Sequence, residues 1–311
     1  MKKLALLGVL MAMLFVFAPD LSAQEIGFAW VGKSGMADRV AQGFEEAWPQ
    51  LAPGLKVEYQ KELGSLEELA AKVGQWQASK KGVVILRSNG AQWLGKNPPT
   101  IPAFIGACSH PSELGAIKNI MAPEGNITGV TYFLPYETHF EIFKAILPDL
   151  KSVLLLVKGS HPGAAVDIEG TKAMCQKLGI GYNEAKVETI EEALVAVKAK
   201  GGEVGAIIVG TQAEIADNTN KVVEAAAMTP VFAFSSNPVK LGALGGFAAN
   251  DVKLGGMLAE SVVQVLVGGK AISAVPVKMD PEPIFFVNTK TAERLKVSIP
   301  YEILQTATVV E

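Results

Sequence analysis

The chain is poor in the residues from which catalytic and metal centres are built. It has three histidines and two cysteines in 311 residues. His110, His139 and His161 stand in separate segments, with no HxxxH or HExxH spacing to bring two imidazoles onto one zinc ion. There is no GxSxG elbow, and no serine stands in a pattern with a supporting His and Asp. Nothing asks for catalysis, and no cofactor or metal is expected. Charge is also sparse. Charged residues make up 19% of the chain, the formal net charge is −3, and no basic block occurs anywhere. That argues against nucleic acid or an anionic lipid surface as partner, because either needs a concentrated Lys/Arg face.

Past the first two dozen residues no apolar run approaches the ~18 residues of a bilayer span, so no direct membrane insertion is expected. Those first residues are different. Lys2 and Lys3 precede an apolar core over residues 4–18, and Leu21-Ser22-Ala23 forms a small-residue cleavage site. Residues 1–23 read as a cleaved signal peptide, with the mature chain starting near Gln24. No cysteine lies at that junction, so no lipid anchor is expected, and the predicted location is periplasmic. Export makes a disulfide chemically possible. However, Cys108 ends a predicted strand in the first half and Cys175 sits in a predicted helix of the second. A bond between halves that move would lock them, so two buried free thiols are expected.

Short apolar, β-branched runs alternate with helical patterns along the rest. Strands are predicted over residues 26–31, 55–59, 82–86, 101–107, 153–157, 205–209, 231–234 and 243–248, with amphipathic helices such as 36–48 and 66–79 between them. Ser65 with Glu68 and Thr189 with Glu192 form capping boxes. Runs such as 153–157 (VLLLV) are apolar on both faces, which suits a parallel sheet covered by helices. Alternating β and α predicts a doubly wound α/β architecture. A faint echo between residues 28–35 and 155–163, each a strand followed by a Gly/Ser loop with one lysine and then a helix, points to two similar lobes with a binding cleft between them.

Residues 27–34 (GFAWVGKS) match the phosphate-loop pattern GxxxxGK[ST] letter for letter. That motif needs a strand before its first glycine. Here the residues between the glycines are themselves the best strand at the mature N-terminus, so a nucleotide-using enzyme is only a remote alternative.

From residue 26 to 300 the chain resembles the tryptophan/tyrosine-type family of ABC transporter substrate-binding proteins, a branch of the type I periplasmic binding proteins. Residues 123–131 (PEGNITGVT) are similar to the family's PGGNVTGVS, 141–151 (EIFKAILPDLK) to LELLKELLPDLKRI, and 286–300 (FVNTKTAERLKVSIP) to VNLKTAKKLGLTIP. Residues 230–233 and 239–243 add to the likeness. The resemblance implies two doubly wound parallel-sheet lobes joined by a three-strand hinge. It also implies a small-molecule ligand held by lobe closure, and docking on an ABC permease driven by a separate ATPase subunit. A sensory protein feeding a membrane receptor shares this fold and is the alternative. Lobe 1 is expected to comprise residues 24–131 plus 235–270, and lobe 2 residues 132–234 plus 271–311.

In parallel α/β sheets the crevice lies at the C-terminal ends of the strands, where helix N-termini point their amides. That rule and the resemblance select Trp30, Ser34, Ser88, Asn89, Ser109 and His110 from the first lobe, and Lys158, His161, Thr211 and Gln212 from the second. Phe234, Ser236 and Asn237, read as part of a crossing strand, should face both lobes. At four of these loops the chain lacks carboxylates that the family carries: 109–111 is SHP where the family has TDP, and 211–213 is TQA where it has TDN. A buried ammonium needs a carboxylate or several carbonyls. The expectation is therefore a neutral or anionic organic solute rather than a zwitterionic amino acid.

Overall fold

The computed structural model describes residues 25–311, so the predicted signal peptide lies outside the described residues. The first lobe begins with β1 (Glu25–Val31), α1 (Gly35–Leu51), β2 (Lys56–Leu63), α2 (Leu66–Ser79), β3 (Gly82–Leu86), α3 (Ser88–Lys96), β4 (Ala103–Gly106) and β5 (Ile127–Gly129). Its five strands are all parallel, in the order β2-β1-β3-β4-β5. Every residue of β3 and β4 is buried, as strands sandwiched between helices must be. The edge strand β2 (KVEYQKEL) is polar and partly exposed, and its charges discourage pairing with another chain.

The second lobe follows: α4 (Tyr136–Ile146), β6 (Ser152–Lys158), α5 (Pro162–Leu178), β7 (Gly181–Val187), α6 (Ile190–Lys200), β8 (Ala206–Val209), α7 (Ala213–Ala216), α8 (Thr219–Ala226), β9 (Val231–Ala233), α9 (Ser236–Lys240) and β10 (Gly245–Ala248). The chain then returns to lay α10 (Asp251–Leu266) on the first sheet and crosses once more to finish with β11 (Ile284–Asn288), α11 (Thr289–Leu295), α12 (Tyr301–Thr306) and β12 (Thr308–Val310). The second sheet runs β12-β11-β10-β9-β8-β6-β7, parallel except where β11 meets β10.

Both capping boxes form. Ser65 Oγ accepts from the Glu68 amide, and Thr189 Oγ1 from the Glu192 amide, each at 3.3 Å. The two glutamates reach back one residue beyond the caps, to the amides of Gly64 and Glu188. The sequence pattern does not predict strands β5, β7, β11 and β12. They are short or partly polar, and β7 (GYNEAKV) is a solvated edge.

Three chain crossings lie side by side between the lobes. Val130 bridges Lys278, and the Thr131 amide donates to the Lys278 carbonyl at 3.0 Å, tying the first crossing to the third. Asp280 ties the third to the second, accepting from the Asn250 amide at 2.8 Å while pairing with Lys253 at 3.0 Å. The sequence partition needs two corrections. Residues 271–278, assigned to the second lobe, lie along the first, where the Thr128 hydroxyl donates to the Val275 carbonyl at 2.6 Å and the Val277 amide to the Ile120 carbonyl at 2.8 Å. Residues 235–248, assigned to the first lobe, carry α9 and β10, which belong to the second sheet and its helices. α10 does pack on the first lobe: Leu254, Leu258 and Val262 join Val84, Leu86 and Phe104 in one core. Burying each such aliphatic side chain contributes roughly 1.5–3 kcal/mol. Cys108 and Cys175 are buried free thiols in different lobes, and burial raises them to about 12 and about 11.

The ligand cleft

Each sheet changes winding direction once. In the first sheet the reversal lies between β1 and β3, and in the second between β6 and β8. Crevices form where neighbouring strands send their chains to opposite faces. The two crevices face each other, and one cavity is walled by the loops beyond all four strands: Ser34 after β1, Arg87 and Ser88 after β3, His161 after β6 and Thr211 after β8. The lobes stand close. The free space is about 30 Å³, room for ~2 waters.

Two of the five non-glycine residues with positive φ among the described residues lie here. Arg87 has φ 75°, ψ 157° and Ala107 has φ 48°, conformations that L-residues rarely adopt. Both line the cavity. Arg87 directs its guanidinium to the Val31 carbonyl, and burial draws it below its ordinary value while Tyr132 and Asp217 oppose that shift. Asp217, just past α7 on the opposite lobe, accepts from Asn237 Nδ2 at 2.9 Å. It also approaches the first turn of α1, where a methyl on Gly35 would stand 3.8 Å from its Oδ1. Arg39, the other cavity arginine, is already paired with Asp251 at 2.9 Å. Among the described residues neither Arg87 nor Asp217 has an ion-pair partner.

His161 caps α5, its Nδ1 accepting from the Gly163 amide at 3.1 Å. Burial, then Arg87 and Lys158, lower it to about 4, so the ring is neutral and its Nε2 carries the proton. Thr211 rests on a buried carboxylate. Asp167 accepts from the Thr211 amide, the Thr211 hydroxyl, Gln212 Nε2 and the Tyr136 hydroxyl at 2.7–3.0 Å. Tyr132, on the first crossing, donates to Thr211 Oγ1 at 3.1 Å and so joins the hinge to this network.

Of the residues selected from sequence, the structure brings Ser34, Ser88, His161, Thr211 and Asn237 to the cavity. Ser109 and Phe234 line a smaller chamber behind Tyr132. The others lie elsewhere. Trp30 is fully buried in the first-lobe core, edge-on to Phe28. Asn89 turns to the Gly90 amide. His110 packs edge-on against Phe133 at 4.8 Å, on an outer groove. Lys158 reaches Glu214 at 3.7 Å, and Gln212 is consumed by Asp167 and the Lys158 amide. Ser236 gives way to Ser235 on the wall. The segment 234–237 is no crossing strand. It follows β9 and opens α9 within the second lobe. The four loops do lack those carboxylates, but Asp217, outside them, brings one to the cavity.

Arg87, Tyr132 and Asp217 escaped the sequence reading. Arg87 lies one residue before the selected loop, Tyr132 one residue after the 123–131 motif, and Asp217 one short helix beyond Thr211. The phosphate-loop match fails structurally. Residues 27–31 are β1 itself, and a methyl on Gly27 would stand 2.2 Å from the Trp76 ring.

No helix among the described residues is long and apolar enough to cross a membrane. A "Tyrosine-binding protein" of Clostridioides difficile (strain R20291) is 22% identical over 279 residues, covering 88% of this chain and 81% of that protein. An ABC domain from Streptococcus pneumonia solved in complex with L-Trp superposes with a TM-score of 0.83 at 23% identity, covering 93% of this chain and 100% of that one. A ligand-free, open substrate binding protein with adhesive properties from Clostridium difficile gives 0.75 at 22% identity, covering 93% and 99%. The family model "ABC transporter substrate binding protein" matches residues 35–311. The chain belongs to the ABC transporter substrate-binding protein family.

Proposed function

We propose that the chain is the extracytoplasmic receptor of an ABC import system and that it captures an aromatic α-amino acid by closing its lobes. The observation that carries this reading is the placement of Arg87 and Asp217, opposite charges without ion-pair partners, on opposite lobes of one cavity. A zwitterion answers both: its carboxylate meets Arg87 with the Ser34 and Ser88 hydroxyls, and its ammonium meets Asp217. Each lobe then supplies half of the charge complement. The ligand gains the full set of contacts only when the lobes are together, and that differential affinity shifts the open–closed equilibrium. A neutral or anionic solute would bring no positive charge to Asp217.

The names of the relatives point the same way, one being a tyrosine-binding protein and another an L-Trp complex. The closed form would then dock on a membrane permease coupled to an ATPase subunit. Titration calorimetry of the chain from residue 24 with L-tyrosine, L-tryptophan, a hexose and a dicarboxylate tests the ligand class. Saturable heat is expected from the aromatic amino acids alone. Binding of the dicarboxylate with silence from both amino acids rejects the reading.

A further inference from the structure

Behind the charged cavity lies a second, smaller space of about 10 Å³. The two share the walls Tyr132 and Thr211, so the Tyr132 side chain stands between them. Its other walls are four aromatic rings, Phe133, Tyr136, His139 and Phe234, together with Ser109, Leu134 and Asp167, the last already occupied by its hydrogen bonds to Thr211, Gln212 and Tyr136. Phe234 meets Tyr136 and His139 edge-to-face at 5.2 and 4.8 Å.

One feature of this chamber is unaccounted for by folding. His139 is 3% exposed, and its Nδ1 is buried without a hydrogen-bond partner among the described residues. A buried polar atom left unsatisfied costs stability that an apolar residue of the same size would not. Burial lowers the ring to about 3, so at neutral pH it is uncharged and offers one N–H and one lone pair. Such a ring can serve either a hydroxyl or an indole N–H. The Tyr132 hydroxyl donates to Thr211 Oγ1 at 3.1 Å and lies beside the Ser88 hydroxyl, both cavity-wall groups, and a side chain so held can rotate when a ligand competes for those partners.

We propose that the chamber walled by Phe133, Tyr136, His139 and Phe234 is the side-chain subsite of the amino acid, with Tyr132 the movable partition that admits it. The inference rests on the amino-acid reading above and assigns what lies beyond the charged head group. His139 becomes the specificity-determining residue. It rewards a ligand ring that carries a polar group and penalises one that does not, because a site built to hydrogen-bond a substrate group is left unpaired by the analogue lacking it. Tyr132 sets the size limit.

The test is titration calorimetry with L-tyrosine, L-phenylalanine and L-alanine on the parent chain and on His139→Phe, His139→Gln, Tyr132→Ala and Arg87→Met. The parent should prefer L-tyrosine to L-phenylalanine about tenfold, with L-alanine weaker than both. His139→Phe should bring that preference to about onefold through loss of L-tyrosine affinity, and His139→Gln, which keeps a hydrogen-bonding group, should retain most of it. Tyr132→Ala should raise the affinity for L-tyrosine relative to L-alanine. Arg87→Met should weaken all three ligands alike. If Arg87→Met weakens every ligand while His139→Phe leaves the tyrosine-to-phenylalanine ratio unchanged, the subsite is overturned and the head-group site survives. If Arg87→Met changes nothing, or the parent binds none of the three, both fall. Should His139→Phe prove unstable, an unchanged ratio in His139→Gln together with L-alanine binding as tightly as L-tyrosine overturns the subsite equally well.

Discussion

Gly255 of α10 lies directly on the backbone of α1 at Gly43: a methyl on Gly255 would stand 2.1 Å from the Val40 carbonyl oxygen and 2.9 Å from the Gly43 carbonyl carbon. The reverse holds too, with a methyl on Gly43 1.9 Å from the Val252 carbonyl oxygen. The two helices touch backbone to backbone, and the obstructing atoms belong to main chain that cannot swing aside. Gly255→Ala should cost roughly 2 kcal/mol, overpacking outweighing the better helix propensity of alanine. Gly256→Ala, where the nearest atom is 3.9 Å away, should instead gain up to about 1 kcal/mol. Urea denaturation of the two variants beside the parent measures the contrast.

Two neutral histidines make the fold acid-sensitive above the range in which ordinary carboxylates titrate. His139 falls to about 3 and His161 to about 4, against an ordinary 6.5. A base depressed by folding contributes fully when pH exceeds its unfolded value and loses that contribution as pH falls toward its folded one. Asp167 and Asp251, raised chiefly by burial, act in the opposite sense, so the comparison is made with a variant. Between pH 7 and pH 5 the parent should lose roughly 2 kcal/mol more stability than His139→Phe. Urea midpoints at the two pH values give the difference, and equal losses would refute it.

The two cleft charges differ in burial, and their variants should differ with them. Arg87 is largely buried, so Arg87→Met should weaken amino-acid binding about a hundredfold. Asp217 is exposed and screened by water, so Asp217→Asn should cost only about tenfold. Calorimetric dissociation constants decide the order, and a reversed ranking would argue against the assigned head-group orientation.

The hinge is clasped by one carboxylate. Asp280 receives the amides of Asn250 and Glu282 at 2.8 and 3.0 Å and the Lys253 ammonium at 3.0 Å. Asp280→Ala removes the acceptor of two part-buried amides and should cost roughly 2 kcal/mol, with Asp280→Asn recovering part of that. Small-angle scattering of Asp280→Ala without ligand should also show a larger radius of gyration as the second and third crossings part.

The architecture was legible in sequence because its strongest signals are local. Runs such as VLLLV at 153–157 and GVVIL at 82–86 are buried on both faces of a sheet, and no edge or loop residue imitates that pattern. Of the four strands that the sequence does not predict, β7 (GYNEAKV) and β12 (TVV) are the two edges of the second sheet, whose conformation is imposed by the neighbouring strand rather than by their own composition. The site divided along the same line. Loops at strand ends could be located, which found Ser34, Ser88, His161 and Thr211. Side-chain direction could not. Trp30 turned into the core, Lys158 turned to Glu214, and Arg87 entered the cleft through a left-handed backbone that no composition rule predicts.

The first lobe is assembled from two lengths of chain separated by the whole of β6 to β10, and this orders events during synthesis. Until residue 266 has emerged from the ribosome, Val84, Leu86 and Phe104 lack the Leu254, Leu258 and Val262 that cover them. A nascent chain halted before α10 carries a naked greasy face and will tend to aggregate or recruit a chaperone. A first lobe whose core is closed only by this late helix should fold slowly until the chain is nearly complete, which would suit a polypeptide that must be threaded through a narrow channel.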